Sequence, residues 1–134
     1  MLAMVVLAGA GCGSPTTGAT PSPTASYKPT ARPSSPARVR FVQPQDQAVL
    51  PAGVVHIELA LDGGTIVNQT TTHITPTTGH IHFLVNGKLV AMNYSTMQDI
   101  PLTAGLYRLT AEFVAADHVP FNPRVTTSIA IDVR

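Results

Sequence analysis

The carboxy-terminal part of this chain predicts an all-β fold, an antiparallel β-sandwich. Three observations carry that prediction. From Arg38 onward apolar and polar residues alternate with a period of two, in short runs broken by turn residues. No segment has a convincing helical period. Trp is absent and aromatic residues are 5% of the chain, so Val, Ile and Leu must fill the core, and β-branched residues favour strands.

The elements follow in order. Val39-Arg40-Phe41 is a first short strand, and Gln43-Pro44-Gln45-Asp46 reads as a turn. From Val54 to Leu61 the chain alternates cleanly, with Val55, Ile57, Leu59 and Leu61 on one face and His56 and Glu58 on the other. Asp62-Gly63-Gly64 ends that strand, and a Thr-rich loop leads to Gly79. His80 to Val85 is the next strand. It meets Asn86-Gly87, a strong two-residue hairpin signal, and Lys88 to Met92 returns. A short extended piece lies near Ile100–Leu102. Leu106 to Val114 then alternates with Tyr107, Leu109, Ala111 and Phe113 inward. After a loop from Ala115 to Pro123, Val125 to Val133 forms the last strand, with Ile129, Ile131 and Val133 inward. About seven antiparallel strands in roughly 100 residues is the pattern of an immunoglobulin-like sandwich.

Three phrases strengthen this reading. Phe41-Val-Gln-Pro-Gln-Asp-Gln-Ala-Val-Leu-Pro-Ala-Gly53, Phe83-Leu-Val-Asn-Gly-Lys-Leu-Val90 and Leu102-Thr-Ala-Gly-Leu-Tyr-Arg-Leu-Thr-Ala111 are similar to segments of bacterial Ig-like domains. Tyr107 sits where such folds often place a tyrosine at the start of the sixth strand.

The amino-terminal part is of another kind. Met1 to Gly11 is a short apolar run ending in small residues and is followed by the single cysteine, Cys12. It is far shorter than the roughly 20 residues that span a bilayer. This arrangement resembles the signal peptide and lipobox of a bacterial lipoprotein, in which the cysteine is lipidated. Gly9 stands where the lipobox usually carries Leu, and no Lys or Arg precedes Lys28. Gly13 to Ala37 is rich in Ser, Thr and Pro, a composition that stays solvated and acts as a spacer. The expected organisation is therefore a signal peptide (1–11), a lipidated Cys12 with a disordered linker (12–37), and an Ig-like β-sandwich (38–134) that works as a monomer. The resemblance implies a protein exposed outside the cytoplasm and anchored to the membrane through its lipid.

Composition and motifs narrow the function. The net charge is +1 and charged residues are 11% of the chain, so no basic patch points to nucleic acid. Gly-x-Ser-x-Gly, P-loop and dinucleotide motifs are absent, and the sparse acids form no pair spaced for glycoside hydrolysis. These features predict a non-catalytic module that binds a protein or envelope polymer through its loops.

The five histidines offer a second function. The strand order of an Ig-like sandwich places the start of the His80 strand, the Thr-rich loop with His73 and the loop with His118 at one end, the top, and His56 at the other. His80 and His82 share the outer face of their strand, with Cα atoms about 6.6 Å apart, close enough for both rings to reach one ion at about 2.0–2.1 Å. The third strand pairs with the sixth, so His118 comes close to His80. His80, His82 and His118, with His73 and Glu112 as further candidates, make a donor set suited to Cu(II) or Zn(II). Glu112 would ligate or hold an imidazole by a second bond. His-x-His is equally what a half-exposed strand uses as solvated polar positions, and His118 can buttress a loop. His56 reads as a surface residue, and Met92 and Met97 as core or loop packing.

Gly79-His-Ile-His-Phe-Leu-Val-Asn86 and Ala116-Asp-His-Val-Pro-Phe-Asn-Pro123 resemble two motifs of a small secreted bacterial family whose domain is of unknown function. Carried over by position, His80, His82 and His118 match that family's histidines. A further His-containing segment of the family corresponds here to Met92-Asn-Tyr-Ser-Thr-Met97. The resemblance implies envelope location and an Ig-like fold.

Overall fold

The computed structural model describes residues 31–134. The expected signal peptide, Cys12 and most of the expected linker lie outside the described residues. Nine strands form among them: β1 (Arg38–Gln43), β2 (Ala48–Leu50), β3 (Gly53–Asp62), β4 (Thr65–Ile66), β5 (Thr78–Val85), β6 (Lys88–Asn93), β7 (Met97–Leu102), β8 (Gly105–Ala115) and β9 (Pro120–Val133). They make an Ig-like sandwich. One sheet has the order β1-β3-β7, and the other runs β2-β9-β8-β5, with β4 and β6 both on the outer edge of β5.

The alternation in the sequence sets the two faces. Val55, Ile57 and Leu59 of β3 meet Ile81 and Phe83 of β5 and Leu109, Ala111 and Phe113 of β8 in one buried core. Asn86 and Gly87 have φ of 50° and 80°, left-handed at both positions as a type I′ hairpin requires, so Asn-Gly fixes the β5–β6 register. Tyr107 donates its hydroxyl to the carbonyl of Thr103 at 3.0 Å and pins the turn into β8.

Two strands, β2 and β4, were not legible in the sequence. Each is two or three residues long and pairs in parallel, β2 with β9 and β4 with β5. A run that short shows no period. The last strand also begins at Pro120, five residues earlier than its alternation suggested. Its register with β8 jumps from Phe113↔Val125 to Val114↔Pro120. The residues between bulge out of the ladder. This drives Phe121 into the core, where its ring stacks on Phe113 at 5.6 Å, and leaves Arg124 over the opposite face of the sheet.

The end of the linker lies against the domain. Arg32 grips the carboxylate of Asp117 with two hydrogen bonds of 2.7 and 2.9 Å and also donates to the carbonyls of Val119 and Pro120. The Pro33 carbonyl accepts from the N–H of Asn122, and Ala37 is buried in the core.

Candidate functional site

The β5–β8 pairing sets His80 opposite Val114 and His82 opposite Glu112, all on the face turned away from the main core. Alternation alone would leave that face in water. Instead His80, Val114 and Glu112 are at most 2% exposed and His82 is 9% exposed. Loops cover them. The N–H of Thr71 bonds to the carbonyl of Ala116, tying the 67–77 loop to the 116–119 turn. His118, with φ of 63°, sits in that turn and brings its ring over the sheet.

Three imidazoles therefore meet. His118 stacks on His80 with ring centroids 4.2 Å apart, and on His82 at 5.6 Å. Nε2 of His82 and Nδ1 of His118 share a hydrogen bond of 3.3 Å. Nε2 of His118 pairs with Oγ1 of Thr70 at 3.0 Å. Nε2 of His80 donates to the carbonyl of Gln69 at 3.1 Å, which puts the proton of the neutral ring there and leaves Nδ1 with a bare lone pair. That Nδ1 is buried and has no hydrogen-bond partner. Tyr94 packs edge-on against His80 at 4.9 Å.

The remaining candidates are placed differently. His73 is exposed in the 67–77 loop, and among the described contacts none joins its ring to the trio. His56 pairs with Asp99 at 2.7 Å on the open surface at the other end, a contact worth little in water. Glu112 lies beside His82, but both carboxylate oxygens are held by Arg124, each at 2.6 Å. Met92 and Met97, read from the sequence as packing residues, are both more than half exposed. Arg32 and Arg124 carry no sequence signal that marks them for this end, whereas Tyr94 lies in a loop the topology returns to it. Arg32 clamps the turn that carries His118, and its hydrogen bonds hold the Asp117 carboxyl below its ordinary range.

Burial pushes His80 and His82 below the ordinary imidazole value of 6.5, and the neighbouring His118 charge pushes each further down. For His82, Glu112 opposes this and Arg124 adds to it. A depressed folded-state value means that, just below pH 6.5, the unfolded chain binds more protons than the folded one. The metal-free domain should accordingly be most stable above about pH 6.5 and lose stability as pH falls through that value, by up to about 1.4 kcal/mol per pH unit for each of the two rings. Urea denaturation from pH 8 to pH 5 with chelator present checks this, and a flat profile would count against buried, neutral His80 and His82.

No protein-family model matches the chain, and no curated protein matches it. Solved structures do. The fibronectin(III)-like modules of Clostridium thermocellum CbhA align with TM-score 0.50 and 14% identity, over 72% of this chain and 96% of that one. A CARDB domain from Pyrococcus furiosus aligns with TM-score 0.44 and 14% identity, over 72% and 93%. At 14% identity the likeness to the CbhA modules is one of fold alone.

Proposed function

We propose that this chain is a non-catalytic binding module, held at a membrane outside the cytoplasm by a lipid on Cys12, and that its loop end binds a transition-metal ion. The observation that supports it is the meeting of His80, His82 and His118, which come from one strand and a distant turn to within ring contact. Imidazole is the commonest protein ligand for such ions, and only its neutral form ligates. Burial and the neighbouring His118 charge push His80 and His82 toward their neutral forms. The lipid anchor follows from Cys12 and the apolar run before it. Palmitate labelling that is lost in Cys12→Ala tests it.

The metal reading is tested by isothermal titration of the full chain carrying Cys12→Ser with Zn(II) and Cu(II). One ion per chain should bind, and His82→Ala/His118→Ala should abolish it. Equal binding by wild type and double variant would overturn the reading.

A protein partner is the second reading. Met92, Tyr94, Met97 and Val119 are large apolar side chains between 45% and 63% exposed, and they supply the surface such a partner would cover.

A further inference from the structure

The two ring nitrogens of His82 and His118 lie 3.3 Å apart. Two donors bound at about 2.0–2.1 Å to one tetrahedral ion have about that separation. Thr70 Oγ1 can accept the Nε2 proton of His118, which leaves Nδ1 of that ring free to ligate. Yet among the described residues no three His, Cys, Asp or Glu side chains form a group that holds a metal. The nearest carboxylate, Glu112, is committed to Arg124. A third donor from the chain has to be of another type.

Strand β6 carries one. Met92 is the direct cross-strand partner of His82, so the two side chains share a face with Cβ atoms about 4.5–5.5 Å apart. The Met92 side chain lies outside the core and is 56% exposed, free to turn its thioether toward the rings. Tyr94, two residues on, follows the same face and lies against His80. His80, stacked on His118, keeps a fully buried Nδ1 with no hydrogen-bond partner. A thioether beside imidazoles favours copper over zinc, because soft sulfur ligands select Cu(I).

We propose that His82, His118 and Met92 form a copper site selective for Cu(I), with His80 stacked on His118. This rests on the metal reading above and adds the identity of the ion. The test uses the full chain with Cys12→Ser, which removes the competing thiolate, and titrates it with Cu(I) under reducing conditions against a chromogenic chelator. Met92→Leu keeps an exposed apolar side chain in an exposed strand, and circular dichroism confirms that it is folded. It should weaken Cu(I) binding by about tenfold or more while leaving Zn(II) affinity within about twofold. X-ray absorption should show sulfur bound to copper in the parent and not in Met92→Leu, and Met97→Leu should change nothing. Unchanged Cu(I) affinity in Met92→Leu would overturn the copper assignment even where Zn(II) still needs His82 and His118. Loss of all metal binding by the parent would overturn both.

Discussion

Gly79→Ala should destabilise the domain by about 3 kcal/mol or more and disperse the histidine cluster with it. Gly79 pairs with Ala115 at the point where β5 enters the sheet. A Cβ there would stand well inside contact distance of the Val114 carbonyl oxygen, 2.9 Å from its carbonyl carbon and 3.2 Å from Cε2 of Phe113. The obstacle is backbone in a fully paired ladder, so no side-chain rotation can relieve it. The two strands must part, or β5 must shift. Either movement carries His80 away from the turn that holds His118. It also disturbs the bond from the Val67 N–H to the Gly79 carbonyl that starts the covering loop. Denaturant unfolding, with metal affinity measured on the folded fraction, checks both effects. Stability within about 0.5 kcal/mol of wild type would show that the close approach is not needed.

Arg124→Ala should cost about 2–3 kcal/mol at pH 7. Glu112 is nearly sealed, with 3% of its side chain exposed, while Arg124 is 61% exposed. The ion pair is therefore asymmetric. Losing the arginine leaves a buried carboxylate with both oxygens unbonded, and water can reach the gap only from the outer side. His82 should also become easier to protonate, since Arg124 depresses its pKa and Glu112 raises it. Glu112→Leu/Arg124→Met should recover much of the loss, as apolar replacements of buried pairs often do. Urea titrations of wild type and the two variants at pH 7 and pH 5 test these points. A neutral Arg124→Ala would mean that Glu112 is solvated.

The sequence carried the sandwich because its long strands announce themselves. β3 and β8 alternate over eight or more residues, and Asn86-Gly87 admits one kind of turn. It carried the approach of His80 to His118 as well, because pairing of the third long strand with the sixth follows from the fold alone. What alternation could not say is which outward face is covered. Period two assigns His80, His82 and Glu112 to solvent, and only the 67–77 loop and the bulge in β9 change that. Neither leaves a periodic trace. The bulge goes with the burial of Phe121, in a segment whose sequence shows no alternation. Met92 was misplaced for the converse reason. An apolar residue in a strand reads as core, yet its register with His82 puts it outside.

We propose that His82 and His118 act together on one metal ion. The most direct test follows the imidazole ring nitrogens by NMR as Zn(II) is added to the chain carrying Cys12→Ser. The account predicts that Nε2 of His82 and Nδ1 of His118 shift together and saturate at one equivalent, while His56 and His73 stay unchanged. Saturation at His56 or His73 with His82 and His118 unmoved would contradict it.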